Sequence, residues 1–161
     1  MSKTVSRHEL ILPLVDGNHI LFNGLYGAID VIDQQTAEYY EFLIRHTAAQ
    51  YSYITPELLV AVIRTESNFS ARVGTRVVGL MQVMAAEHTD RCARLNAYNL
   101  LDAKQNIRVG VDILAELIAY YDGDYKAALS FYNCDSTGEY AELVLSRAEI
   151  LAESAMVEVT V

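Results

Sequence analysis

Tryptophan is absent from this sequence of 161 residues, and proline and cysteine occur only twice each. The two cysteines, Cys92 and Cys134, match neither a disulfide framework nor a metal-binding pattern. We therefore expect two buried or half-buried thiols, with a single bridge in an oxidising compartment as the alternative. Apolar residues make up 52% of the chain and charged residues 20%, which is typical of a globular protein and excludes a disordered one.

Long apolar runs are also lacking. The longest uncharged run, residues 17–29, contains Gly, His and Asn and is shorter than the run of about 18 residues that a membrane span needs. Residues 1–9 have neither an apolar region nor a small-residue cleavage site, so no signal peptide is predicted. We expect no integral membrane segment.

Basic residues are in the minority, since 12 Lys and Arg oppose 21 Asp and Glu and give a net charge of −9. This balance argues against general nucleic-acid binding, which needs a basic surface. The acidic excess lies in the C-terminal third, where we interpret it as a solvated helix face. No residue pattern points to a metal or a cofactor, and we expect neither.

Residues 54–67 predict a buried helix that ends on a carboxylate. Thr55 is suited to cap the helix, and Pro56 suits the first helical position. Residues 58–63 are apolar all round, which predicts a helix surrounded by protein. Burial and the negative end of the helix dipole would raise the pKa of Glu66, as a general acid near neutral pH requires. From this stretch alone, a solvated glutamate at a frayed helix end is the simpler interpretation.

Hydrophobic periodicity predicts a mainly helical α+β chain. Residues 9–33 read as strands around a turn at 16–18, and 34–51 read as a helix. After Glu66 the pattern predicts a loop over 69–78, a short helix from about 79 to 87, and a helical turn plus loop over 90–104. Further helices are predicted at 105–121, 125–132 and 138–154. We divide the chain into a strand–helix segment of unknown role at 1–50 and a helical domain at 51–161.

Four short motifs follow one another in this helical region. They are Glu66-Ser67, then Gly79-Leu80-Met81-Gln82, then Asn106-Ile107 with Gly110 and Leu114, and finally Ala128-Leu129-Ser130-Phe131-Tyr132-Asn133. Their order and spacing resemble the soluble lytic transglycosylase family over about residues 51–151. The resemblance implies a lysozyme-like fold related to goose-type lysozyme.

Members of the family that this chain resembles cleave the glycan strands of peptidoglycan between N-acetylmuramic acid and N-acetylglucosamine. The resemblance implies that Glu66 is the catalytic residue, first as acid and then as base, while the C6 hydroxyl of the sugar closes a 1,6-anhydro ring. One carboxylate then suffices, whereas ordinary glycosidases need two. We interpret the nearest other acids as surface or capping residues: Glu87, Asp90, Asp102 and Asp135.

The resemblance also implies a set of substrate-binding residues: Ser67, Met81, Gln82, Tyr132 and Asn133. Ser67 would orient the acid, Met81 would line the groove, and the amides of Gln82 and Asn133 would bind sugar hydroxyls and acetamido groups. Tyr132 would reach the reacting centre or hold Glu66. Asn106 is interpreted as structural, tying a loop to the start of its helix.

The chain departs from the family pattern beside these motifs. Arg76 and Val77 stand where Gly and Ala are usual, Ala85 stands where Pro is common, and residues 134–137 replace a glycine-rich stretch. Two alternatives to a transglycosylase stay open: a muramidase-type hydrolase that uses water and a second carboxylate, and a glycan-binding module with impaired catalysis, which the replaced glycines favour. Because no export signal is predicted, the route to the cell wall also stays open between a phage particle, a membrane lesion, a specialised export machine and a longer parent protein.

Overall fold

Six α-helices follow three short strands in the computed structural model, which describes residues 11–13, 18–21, 31–71 and 73–157. The strands β1 (Ile11–Pro13), β2 (Asn18–Leu21) and β3 (Val31–Asp33) form an antiparallel sheet in the order β1-β2-β3. Ile11 lies opposite Leu21, and Ile20 lies opposite Val31. The rest of the predicted strand region lies outside the described residues.

The helices begin and end close to the predicted positions, and the mainly helical fold is confirmed. They are α1 (Gln34–Ala48), α2 (Pro56–Ser67), α3 (Thr89–Arg94), α4 (Ala103–Tyr120), α5 (Tyr125–Asn133) and α6 (Glu139–Val157), with a 3₁₀ turn at Ala85–Glu87. None of the described helices is both long enough and apolar enough to cross a membrane.

The prediction of a helix that begins at about residue 79 is wrong. Residues 79–82 form tight turns, and the only helical piece of this stretch is the 3₁₀ turn at Ala85–Glu87. Gly79 has φ +80° and Gln82 has φ +47°, and a right-handed helix excludes both values. Val78 pairs with Val73 and with Val83 on either side, so the chain folds into a small β-like loop instead.

Helix α2 runs through the centre of the core, as predicted. Its residues from Leu58 to Ile63 are all buried, and it packs against both α1 and α6. The Thr55 hydroxyl accepts a hydrogen bond from the Leu58 N–H at 3.1 Å, and Pro56 occupies the first turn. Each fully buried aliphatic side chain contributes about 1.5–3 kcal/mol, so the helix is anchored along its whole length.

Helices α4, α5 and α6 bring the chain back to the end of α2. Asp102 caps α4 by accepting from the Gln105 N–H at 2.9 Å, and Asp124 caps α5 by accepting from the Ala127 N–H at 3.0 Å. Helix α5 packs on α4 and α6, and α6 returns to α2. The C-terminal end of α5 and the first turn of α6 thereby meet the last turn of α2.

Both cysteines are free thiols in the described part of the chain. Cys92 is half-buried on α3, as predicted. The expected burial of Cys134 is wrong, because this residue ends α5 at the surface and its side chain is exposed.

Candidate active site

Glu66 lies in the last turn of α2 with its carboxylate half-buried. The helix ends at the next residue, Ser67, because Asn68 adopts a left-handed conformation and donates its N–H to the Arg64 carbonyl at 3.1 Å. Burial raises the pKa of Glu66 above its ordinary value, and the neighbouring Tyr140 and Asn133 oppose the shift without cancelling it. A solvated glutamate at a frayed end does not fit this environment.

Two neutral side chains face the Glu66 carboxylate. Asn133, the last residue of α5, donates from Nδ2 to Oε1 of Glu66 at 3.2 Å. The Tyr140 hydroxyl, in the first turn of α6, is buried beside the same carboxylate without a hydrogen bond of ordinary geometry. Burial and the Glu66 charge both raise the pKa of Tyr140, so it stays a neutral phenol. The acid therefore has a donor and a polar neighbour from two other helices.

Tyr140 is the site residue that sequence reasoning missed. It belongs to none of the four motifs, and only 9% of it is exposed. Its place on the apolar face of a predicted helix marks it as a core position. The phenolic hydroxyl was the available signal, because a buried tyrosine needs a polar neighbour for its oxygen.

Residues 79–82, which we call the GLMQ turn, are held by three helices. From α2, the Ser67 hydroxyl donates to the Leu80 carbonyl at 2.7 Å. From α4, the Asn106 Oδ1 accepts from the Met81 N–H at 2.7 Å. From α5, the Tyr132 hydroxyl donates to the Met81 carbonyl at 2.8 Å. The turn is thus fixed next to the acid by side chains that the motifs supply.

Asn106 makes two further hydrogen bonds, from Nδ2 to the carbonyls of Val78 at 2.8 Å and Leu100 at 2.9 Å. Its predicted structural role is confirmed. A Cβ on Gly79 would lie 2.1 Å from the Asn106 amide nitrogen and 2.3 Å from the Leu100 carbonyl oxygen. Glycine is therefore required at position 79 by both space and backbone conformation.

The predicted substrate-binding residues divide into two groups. Ser67 is 1% exposed and Met81 is 0% exposed, so a direct contact with substrate does not fit their burial. The Tyr132 hydroxyl already donates to the turn. Gln82 is partly exposed with Nε2 donating to the Gly79 carbonyl at 2.7 Å, and Asn133 is exposed. Of the predicted set, Gln82 and Asn133 therefore remain as candidates for contact with substrate.

The four other acids that the sequence offered as a second carboxylate have different surroundings. Glu87 pairs with Arg76 at 3.2 Å on the surface, and Asp90 is exposed. Asp102 caps α4, and Asp135 accepts three hydrogen bonds from the turn that leads into α6. The capping roles of Asp102 and Asp135 are confirmed. No cluster of three potential metal ligands occurs within the described ranges.

Comparison with known proteins agrees with this arrangement. The family model described as "Transglycosylase SLT domain" matches residues 43–139. Among solved structures, the 70-kDa soluble lytic transglycosylase Slt70 of Escherichia coli is similar with a TM-score of 0.60 and 19% identity, covering 69% of this chain and 24% of that chain. An inactive glutamate-to-glutamine mutant of Slt from Pseudomonas aeruginosa is similar with a TM-score of 0.62 and 20% identity, covering 70% of this chain and 24% of that one.

A third solved structure, the complex of the 70-kDa soluble lytic transglycosylase with bulgecin A, has a TM-score of 0.52 and 21% identity, covering 68% of this chain and 19% of that chain. The chain therefore spans about a quarter or less of the length of the solved transglycosylases it matches. These structures confirm the lysozyme-like fold. Because the family model spans more than half of the sequence, the protein belongs to the family of transglycosylase SLT domains.

Proposed function

We propose that this protein is a lytic transglycosylase that cleaves peptidoglycan between N-acetylmuramic acid and N-acetylglucosamine and forms a 1,6-anhydro product. The observation that carries the proposal is Glu66 itself, a half-buried acid with a raised pKa at the end of a core helix. Family membership supports the reaction class. The inactive glutamate-to-glutamine mutant of the Pseudomonas aeruginosa Slt fits a mechanism that depends on one glutamate.

In the first step, protonated Glu66 gives its proton to the glycosidic oxygen as the bond to the anomeric carbon breaks. A raised pKa keeps this carboxyl group protonated in a larger fraction of molecules near neutral pH. The Asn133 amide donates to Oε1, which favours placing the proton on the other carboxyl oxygen. Asn133 thus orients the acid. The side-chain oxygen of the exposed Asn133, Oδ1, would accept from a sugar N–H or hydroxyl.

In the second step, the Glu66 carboxylate accepts the proton of the C6 hydroxyl, whose oxygen bonds to the anomeric carbon and closes the anhydro ring. Glu66 is thereby protonated again and can start the next cycle as an acid. The neutral Tyr140 phenol beside it would stabilise the transient negative charge on Glu66. Ser67 and Tyr132 act in this proposal as positioning residues, since together with Asn106 they hold the GLMQ turn, in which Met81 is buried. Contact with the glycan is left to Gln82 and Asn133.

A muramidase-type hydrolase would need a second carboxylate to activate water or to stabilise the glycosyl cation. Within the described residues, no second carboxylate contributes to the pKa shift of Glu66. The candidate acids are committed to ion pairing, capping or solvent instead. This favours the transglycosylase route, in which the substrate supplies the nucleophile.

The missing glycines after Asn133 favour the other alternative, a glycan-binding module with impaired catalysis. Cys134 nevertheless adopts a left-handed conformation with φ 58°, which is the conformation glycine would supply. Asp135 then fixes the loop through bonds to Thr137 and to the Tyr140 N–H at 2.9 Å. The loop is therefore ordered beside the acid, which supports an active enzyme.

Digestion of purified peptidoglycan followed by mass spectrometry tests the proposal. We expect anhydro-terminated fragments, lighter by one water than reducing-end fragments. Glu66→Gln should reduce turnover by roughly 10²- to 10⁴-fold or more, because the general acid and base are lost together. Glu57→Gln, in the first turn of the same helix, is the matched control and should cleave normally. Reducing-end products would establish the hydrolase instead, and full activity of Glu66→Gln would rule out the mechanism.

A further inference from the structure

The loop over residues 134–138 joins the two helices that carry the partners of the candidate acid. Asn133, the last residue of α5, donates to Oε1 of Glu66 at 3.2 Å. Tyr140, in the first turn of α6, lies beside the same carboxylate. The way in which these two helix ends are held together therefore decides whether both partners reach Glu66.

One residue of this loop, Asp135, bonds to both helices. Its N–H donates to the Ser130 carbonyl in the last turn of α5 at 2.8 Å. Its carboxylate lies against α6, where Oδ2 accepts from the Tyr140 N–H at 2.9 Å. The other oxygen, Oδ1, accepts from the N–H and the hydroxyl of Thr137 at 2.8 Å and 2.7 Å. Asp135 thus connects the end of α5 with the start of α6.

The position of Tyr140 depends on this connection. The first N–H groups of a helix have no partner within the helix, so Asp135 supplies the bond that the Tyr140 N–H would otherwise lack. At the far end of the side chain, no hydrogen bond of ordinary geometry holds the phenol oxygen within the part of the chain that the structure describes. The start of α6 therefore determines how closely the phenol approaches Glu66.

We propose that Asp135 is a positioning residue for the candidate acid: it holds the first turn of α6 against the end of α5 and thereby keeps the Tyr140 phenol beside the Glu66 carboxylate. The inference rests on the proposed function, in which Tyr140 stabilises the negative charge on Glu66. Because the Asp135 carboxylate bonds to the loop and to the start of α6, it acts on the reaction through Tyr140. The connection belongs to the segment in which this chain departs from the glycine-rich family pattern.

The charge of Asp135 suits this role. The Thr137 hydroxyl and backbone N–H groups of the loop donate to its carboxylate and hold the pKa of Asp135 below its ordinary value, so the group is ionised at neutral pH. An ionised carboxylate accepts several hydrogen bonds at once, and charge strengthens each of them. Asparagine has only one acceptor oxygen, so it cannot satisfy the N–H groups of both Thr137 and Tyr140.

A double-mutant cycle between Asp135 and Tyr140 tests the proposal through kcat and KM for soluble glycan strands. Asp135→Ala should lower kcat about 10- to 100-fold and change KM less than about twofold, since it displaces a group that acts in the transition state. Tyr140→Phe should cost about the same, and the double variant should be no slower than Tyr140→Phe alone. Asp135→Asn should lie between the wild type and Asp135→Ala.

Asp124→Ala is the matched control, because Asp124 is a capping carboxylate at the other end of α5, where it accepts from the Ala127 N–H at 3.0 Å. This variant loses a helix cap of the same chemistry and should keep its kcat. The control separates a loss of stability from a loss of positioning.

Carbon-13 NMR titration of the Glu66 carboxyl group gives a second readout that needs no turnover. Tyr140 opposes the rise that burial causes in the pKa of Glu66, so Asp135→Ala and Tyr140→Phe should each raise this pKa further. Loss of the Asp135 charge by itself would lower it, so the sign of the shift separates the two effects. The other groups that face Glu66, Asn133 and the neutral phenol of Tyr132, are the same in every variant.

The outcomes separate this inference from the proposed function. Wild-type kcat in a folded Asp135→Ala protein, or single losses that multiply in the double variant, would overturn the inference and leave the proposed function standing. If Asp135→Ala does not unfold cooperatively, Asp135→Asn replaces it in the cycle with the same criteria. If the wild type cleaves no peptidoglycan, the proposed function fails, and the titration alone decides whether Asp135 places Tyr140 at Glu66: an unchanged or lowered pKa of Glu66 would overturn it.

Discussion

Glu66 combines two conflicting requirements at a single residue. The half-buried position raises its pKa, which serves the acid step, but the ionised form is then poorly solvated in the folded protein. The same environment that keeps the proton available therefore lowers the stability of the fold whenever the proton is lost. This conflict between stability and function makes a direct prediction about pH.

Glu66→Gln should stabilise the protein, and the gain should grow with pH. The folded-state pKa of Glu66 lies above its unfolded value, so between the two the folded state binds more protons and its stability falls as pH rises. The charged carboxylate carries its full penalty above the folded pKa, and glutamine carries none. Thermal unfolding of both proteins from acidic to alkaline pH measures this. A difference in Tm that is constant or shrinks with rising pH would contradict the assignment.

The side chain of Asn106 alone bonds three backbone groups beside the candidate site. Asn106→Ala removes three hydrogen bonds and leaves the Met81 N–H and the carbonyls of Val78 and Leu100 without this partner. We expect a loss of about 3 kcal/mol in the free energy of unfolding, measured by urea denaturation. Lys104→Ala, exposed on the first turn of the same helix, should change it little. Equal stability of the two variants would show that the turn does not depend on Asn106.

At the scale of elements, the end of α5 is one place where a non-glycine residue takes a backbone conformation that favours glycine. Cys134 takes a left-handed conformation that costs an L-residue with a Cβ about 1 kcal/mol or more. Cys134→Gly should relieve this cost and stabilise the protein by about 1 kcal/mol, less the added entropy of the unfolded chain. Cys134→Ala keeps the Cβ and serves as the control in the same unfolding measurement. If alanine is the more stable of the two, the helix does not end in this conformation in solution.

Periodicity and capping signals predict the helices because these signals act locally. Thr55 and Pro56 start α2 where expected, and Asp124 starts α5. The GLMQ turn could not be predicted in this way, since its left-handed residues are stabilised by side chains from distant parts of the chain. Tyr140 was not predicted as a site residue for a similar reason, because only tertiary packing brings the start of α6 to Glu66. Of the candidate site, the motifs contain the candidate acid Glu66 and also Asn133, which the sequence assigned to a sugar contact and which the fold brings to the Glu66 carboxylate. The burial of Ser67 and Met81 became known only from the structure.

At the scale of the whole molecule, α1 belongs to the same core as α2 and α4. Ala37, Leu43, Ile44 and Ala48 of this helix are buried, and the family match begins inside it at residue 43. We therefore propose that the folding unit begins near Gln34, earlier than the boundary at residue 51 that the sequence suggested. The segment of unknown role is then shorter than predicted.

Two shortened chains test this boundary. A chain beginning at Tyr51 loses the buried side chains of α1 and should be less stable than a chain beginning at Gln34 by about 5 kcal/mol or more, which is comparable to the whole stability of many domains. Circular dichroism during thermal unfolding distinguishes them. A cooperative transition at the same temperature in both chains would place α1 outside the folding unit.

The GLMQ turn has a consequence for the motions of the molecule. Its Met81 N–H lies in a turn, where amide protons ordinarily exchange with solvent quickly through small local openings. Here the proton is held by Asn106 of α4, and the residue is fixed from its other side by Tyr132 of α5. Releasing it requires the helices to separate, so this amide should exchange with deuterium only on the slow timescale of global unfolding. The loop beside the acid is thus among the last parts of the chain to open, and the reactive geometry persists for as long as the fold does.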